Sequence, residues 1–187
     1  MTTTLITAEH VKDGKYVGPY DLGNIVGHLE FAADLGVVVV DGRIAVSGSI
    51  CAQAGSGIEV GEGIKAGSDI EAGLGIEAGW GIEAGDGMWA GEGIEAGSDI
   101  EAGLGIKAGL GIKAGWGIKA GLGIEAGWGI KAGLGIKSEW ISASLRIFAG
   151  LVNWRLPAPG EDKIHAEIRC GTVAHGRVIV PTKVDAP

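Results

Sequence analysis

Carboxylates are the most regular chemically competent groups in this chain. Between residues 58 and 137 they recur at multiples of six residues, as Glu59, Glu71, Glu77, Glu83, Glu95 and Glu101, with lysines taking the equivalent places later on. Two facing carboxylates are the apparatus of glycoside hydrolysis, one as acid and the other as nucleophile or base. Here such pairs are a by-product of repetition, and nothing singles one out. The other candidates are fewer. A histidine can serve as the general base of acyl transfer, but His10, His28, His165 and His175 all lie outside the repeat, and no extruded loop interrupts residues 58–137 to form an acceptor pocket. His165 and His175 with Cys170 fit no zinc spacing, so they read as strand-face histidines, and Cys51 and Cys170 as two buried thiols of a reducing compartment. Gly-x-Gly occurs everywhere and, without a strand leading into a helix, signals no nucleotide site. These absences point to a non-enzyme without metal or cofactor.

The elements that would position these residues follow from the repeat itself, I-(E/K)-A-G-x-G, running from Ile58 to Lys137. Ile holds every sixth position except at Met88, and the phase never slips. A helix with 3.6 residues per turn would smear this pattern around its circumference, and glycines in every hexad would cost it ~1 kcal/mol each. The alternation Ile in, Glu or Lys out, Ala in is a three-residue strand with one buried face, and Gly-x-Gly supplies the permissive backbone of a corner. The chain is therefore expected to be all-β, a triangular β-solenoid of about 18 residues per coil. The repeat then makes roughly four and a half coils, a rod ~20 Å long before its ends are added.

The ends depart from the hexad. Residues 52–57 are read as keeping register with Ala52 in the Ile place, and residues 37–50 as strands broken at Asp41-Gly42. Residues 1–36 are ambiguous, with Leu29 and Phe31 alternating like a strand and residues 7–12 compatible with one helical turn, and the segment is read as a cap. After the repeat the apolar phase moves to Ile141, Ala143, Leu145 and Ile147, in a strand that no longer obeys the hexad; residues 156–162 form a loop, and strands 163–170 and 173–180 follow. The organisation expected is an N-terminal cap (1–43), the solenoid (44–137) and a C-terminal β cap (138–187), with the non-repeating ends covering the open sheet edges.

Sorted by coils of 18, the outward residues form three ladders: Glu59, Glu77, Glu95, Lys113, Lys131; Lys65, Glu83, Glu101, Lys119, Lys137; and Glu71, Trp89, Lys107, Glu125. Residues 58–99 carry ten acids against one base, and residues 100–137 two acids against five lysines. This block arrangement stacks like charges that alternation would have separated, and it makes the rod a dipole whose acidic half suits a basic partner surface or the basic half of another copy. The acidic binding face is assigned to Glu59, Glu71, Glu77, Glu83, Glu95 and Glu101. The corner residue x changes in step: from Leu104 through Leu110, Trp116, Leu122 and Trp128 to Leu134 it is always apolar, an interface ridge suited to a homodimer or another protein.

The chain of 187 residues, with 37 glycines, 46% apolar residues and a formal charge of −8, is too apolar for disorder and too acidic to coat nucleic acid directly. No stretch is long and apolar enough to span a membrane, and no basic start followed by an apolar run marks a signal peptide, so a bacterial cytoplasm is expected. The text GIEAGWGIEAGDG and GIKAGLGIKAGWGIKAG, with ISASLRIFAGLVNWRLP and GTVAHGRVIV, resembles an uncharacterised family of phage and prophage proteins over about residues 44–180. Residues 37–50 are also faintly similar to bactofilins, polymer-forming β-solenoids. The first resemblance implies a phage-encoded protein, and with the acidic half it suggests an inhibitor that occupies the basic groove of a host defence or nucleic-acid-processing complex. The alternatives are a self-assembling rod or virion component and, much less in keeping with the residues, a hexapeptide acyltransferase, whose usual hexad order this repeat alters by placing Ala before Gly.

Overall fold

The structure, a computed structural model, describes residues 2–152, 155 and 158–180. Its strands wind into a β-solenoid of about eight turns. From Ile58 to Ile118 each repeat hexad gives one short strand that pairs in parallel with the strand eighteen residues on, as Ile58 on Ile76, Ile64 on Ile82 and Ile70 on Met88, whereas Ile124 and Ile130 pair seventeen residues on. The inward isoleucines stack into three continuous columns, each residue at most 2% exposed, with Ala filling the narrower positions. Burying one such side chain contributes ~1.5–3 kcal/mol, and every coil relies on its neighbours to do so.

The hexad glycines act differently from what the sequence suggests. None within the repeat has a positive φ, so conformational freedom is not their role. The first glycine of each corner is required by space: a methyl built on Gly109 would lie against the carbonyl oxygen of Gly91 in the coil below, and the same holds from Gly79 through Gly133. The second glycine is looser, since a methyl on Gly111 would sit 3.4 Å from the Gly129 oxygen. Asp69 and Asp99 occupy that second place, and their carboxylates accept the N–H groups of Gly87 and Gly117 at 2.9 and 2.8 Å.

Upstream the register differs from the expected one. Ile44 pairs with Ile64 and Ile50 with Ile70, twenty residues apart, so Ile50 takes the Ile place and Ala52 the Ala place, opposite Ala72. Two extra residues are absorbed between Ile50 and Ile58. Gly55 there has φ +73°, and the buried Ser56 closes the widened turn, donating from Oγ to the Ala32 carbonyl (2.6 Å) and accepting the Leu35 N–H (3.0 Å). The expected strands around Asp41-Gly42 are Gly36–Val40 and Ile44–Val46, and Leu29 and Phe31 are buried in His28–Phe31. The helical turn is a short 3₁₀ element, Ala8–His10, capped where the Thr7 N–H donates to His10 Nδ1. Thr3–Ile6 already pairs in parallel with His28–Phe31, so the N-terminal cap is wound into the same ladder.

The C-terminal region is also a continuation of the winding. Glu139 stands where the hexad requires its first glycine. The sharp corner is lost there, and Ile136–Phe148 runs unbroken over all three faces, with Ile141 on Ile124 and Ile147 on Ile130. Ile141, Ala143 and Ile147 are buried as expected, but Leu145 is 59% exposed. Its N–H donates to the Trp128 carbonyl, which makes it a corner residue. Instead of ending near Cys170 and resuming at Val173, one strand spans Lys163–His175, and Arg177–Ile179 lies on its first three residues. Beyond those, the outer edge of Lys163–His175 has no strand partner among the described residues, so this end leaves an edge open. Glu167 and Arg169 lie along that edge, a charged form of protection against unwanted pairing. Of the expected loop, Leu156 and Pro157 lie outside the described residues; beside them the Glu161 carboxylate binds the Arg155 guanidinium and the Ala158 N–H, which together hold it down to about 2.

Candidate interaction surfaces

The three charge ladders run as the coil arithmetic requires: the first through Glu59, Glu77, Glu95, Lys113 and Lys131, the second through Lys65, Glu83, Glu101, Lys119 and Lys137, the third through Glu71, Trp89, Lys107 and Glu125. The six glutamates assigned to one acidic face are consequently spread over three. Glu59, Glu77 and Glu95 lie on the first face, Glu83 and Glu101 on the second, and Glu71 on the third, because each hexad turns the chain onto the next side of the triangle.

Ion pairs between adjacent rows neutralise part of this charge. Lys65 binds Glu83 at 2.8 Å, Lys119 binds Glu101 at 3.3 Å, Lys107 binds Glu125 at 3.2 Å, and Lys113 binds Glu95. All are exposed and worth only ~0.2–1 kcal/mol each. Glu59, Glu62, Glu71, Glu77, Asp86 and Glu92 have no cationic partner among the described residues and form the uncompensated acidic part of the rod.

The apolar ridge is likewise divided among the corners. Ladder hydrogen bonds stack Trp80, Ser98, Trp116 and Leu134 between the first and second faces, Asp86, Leu104 and Leu122 between the second and third, and Leu74, Glu92, Leu110, Trp128 and Leu145 between the third and first. The six ridge residues thus form a belt around the later coils, two on each corner, rather than one line. Leu104, Trp116, Leu122 and Trp128 are exposed, while Leu110 and Leu134 are half-buried. The C-terminal strand shields a little of this belt: Trp140 lies over Gly123 and carries the Arg169 guanidinium 4.4 Å from its ring centroid. Trp80, 64% exposed, escapes the sequence reading because its neighbours on the same corner, Glu62 and Ser98, are polar. It overhangs a groove of about 430 Å³ on the second face that also includes Glu62, Glu83, Glu101, Arg43 and Lys65.

Neither cysteine is fully buried, contrary to expectation. Both point outward on the third face, where Cys51 pairs with Glu30 and Glu71, and Cys170 with Ser142. Cys170 is exposed. Partial burial pushes the Cys51 thiol up, and the charges of Glu71 and Glu30 push it the same way. Thiolate is the reacting form, so a disulfide reagent such as dithionitrobenzoate should modify Cys170 rapidly and Cys51 much more slowly in the folded protein. Single Cys→Ser variants assign the two phases, and equal rates would contradict this environment.

No group of three or more His, Cys, Asp or Glu side chains among the described residues is placed to hold a metal ion. His10 Nδ1 accepts the Thr7 N–H, His28 Nδ1 accepts the Ser49 N–H, and His175 Nδ1 lies 2.6 Å from the Ala149 carbonyl, so three of the four histidines serve the backbone. No helix among the described residues is long and apolar enough to cross a membrane. The chain matches no family model, no curated protein and no solved structure.

Proposed function

We propose that this chain is a non-enzymatic, protein-binding β-solenoid, a phage-encoded inhibitor that sets its acidic coils against a basic surface of a host defence or nucleic-acid-processing complex. The observation that carries the reading is the group of unpaired acids, Glu59, Glu62, Glu71, Glu77, Asp86 and Glu92, held on a frame whose rows repeat every ~4.8 Å. A rigid scaffold presents charge without an ordering cost on binding, and a groove that binds nucleic acid offers the complementary lysines and arginines. The second-face groove adds an apolar anchor, Trp80, beside Glu62, Glu83 and Glu101.

The test is capture of binding proteins from host lysate by the tagged chain at low and moderate salt, alongside a variant in which Glu62, Glu71, Glu83 and Glu101 are changed to Lys. A stoichiometric, basic host protein that is released by salt and lost with the variant, while the variant keeps its circular dichroism, is the expected result. A partner that the variant retains removes the electrostatic mechanism. A second reading, a self-assembling rod, is favoured by the open outer edge of Lys163–His175 with the exposed Val178 and Val180 beside it. Recovery of the chain alone, in large assemblies visible by electron microscopy, would select it.

A further inference from the structure

The first face is the ladder whose charges are fully segregated. The second face settles its opposite charges within the chain, through Lys65–Glu83 and Lys119–Glu101, and the third does so through Lys107–Glu125. On the first face the internal pair is Glu95–Lys113, at the seam where the sign changes. Glu59 and Glu77 lie on one side of that seam, and Lys131 and Arg146 on the other, with no ionic partner among the described residues. Each side also has a shallow groove. The acidic one, about 240 Å³, is bordered by Glu59, Glu77, Glu92, Glu95 and Val37. The basic one, about 730 Å³, is bordered by Lys131, Arg146, Leu145 and Phe148.

We propose that the first face binds a second copy of the chain in antiparallel fashion, about a two-fold axis that runs along the strand direction between the Glu95 and Lys113 rows. Such an axis reverses the rod while keeping each residue's position across the face. Glu95 then meets Lys113 of the second copy, Glu77 meets its Lys131, and Glu59 meets its Phe148 with Arg146 two residues away. On the corner between the third and first faces, Leu74 and Trp128 lie equally far from the seam and are brought together. Four rows lie on each side of the seam, from Gly36–Val40 to the row of Val173, so the whole face overlaps. A parallel pairing would instead set Glu59 on Glu59 and Lys131 on Lys131, which like-charge repulsion disfavours.

Eight rows of ~4.8 Å across a face ~15 Å wide offer roughly 600 Å² per copy, the lower end of specific interfaces, so the dimer is reversible and weakened by salt. This goes beyond the inhibitor reading and shares Glu59 and Glu77 with it; the two are tested apart, because the capture variant changes Glu62, Glu71, Glu83 and Glu101 and leaves the outward residues of the first-face strands in place.

The experiment is sedimentation equilibrium across the micromolar range on the full chain, at low and moderate salt. The wild type should move from its chain mass of 18.9 kDa to twice that value as concentration rises. Glu77→Lys alone and Lys131→Glu alone should each weaken association by about tenfold or more, since each sets like charges face to face. The double variant E77K/K131E should restore it to near the wild-type level. Both positions are exposed and outward, and thermal melting confirms that each variant is folded. A wild type that stays monomeric, a dimer unmoved by either single reversal, or a double variant that fails to recover would each overturn the proposal.

Discussion

Gly109→Ala should destabilise the protein by about 3 kcal/mol or more, whereas Gly111→Ala, two residues away in the same corner, should be neutral or stabilising by up to ~1 kcal/mol. The first substitution places a methyl against the Gly91 carbonyl, which belongs to the backbone of the adjacent coil and cannot turn aside as a side chain would. Relief requires separating the coils, and nearby hydrogen bonds, from the Gly109 N–H to Ala90 (3.0 Å) and the Leu110 N–H to Glu92 (2.9 Å), oppose that separation. At Gly111 the added methyl would be in ordinary contact, φ is not in the left-handed region, and alanine reduces the freedom of the unfolded chain. Denaturant melting of both variants separates the cases. Equal losses at both sites would show that the corner needs glycine for some reason other than room.

Ile100→Ala should cost about 2–5 kcal/mol, and Met88→Ile less than ~1.5 kcal/mol. Ile100 is fully buried with Ile82 below it and Ile118 above it in one column. The strands on both sides are pinned by parallel ladders, so the cavity left by truncation cannot collapse. Met88 occupies the equivalent place in its own column, between Ile70 and Ile106, and is 2% exposed. Isoleucine there restores the consensus of the repeat at nearly constant volume. Chemical denaturation of the two variants decides the matter; a loss under ~1 kcal/mol for Ile100→Ala would mean that the coil closes over the gap.

The core of the solenoid and its three ladders are legible in the sequence because they depend only on period. Six residues set the alternation of each strand, and three hexads set the row spacing, so every outward neighbour from Glu59 to Lys137 follows by counting. What counting misses is set by contacts between coils. The difference between the two corner glycines appears in the text only as Asp69 and Asp99, which occupy the second place and never the first. The turn at Ser56 has no counterpart in the repeat, and its two added residues are recognisable only once Ile50 is seen above Ile70. The ends follow least from counting, because Leu145 alternates like a core residue while its backbone is bound to a corner. The acidic face and the apolar ridge look continuous along the chain, whereas neighbours on the repeat's surface are eighteen residues apart.

The interior and the exterior of this rod keep different time. Its core repeats every six residues, since any isoleucine stacks on any other, while its surface repeats every eighteen. Loss or gain of a single hexad would leave each buried column intact and yet turn all later coils by a third of a revolution, moving Lys113 and Lys131 off the side that holds Glu59 and Glu77. Only whole-coil changes preserve the pattern of charge. Slippage among near-identical repeats, harmless to folding, would therefore rewrite what the molecule presents to its surroundings.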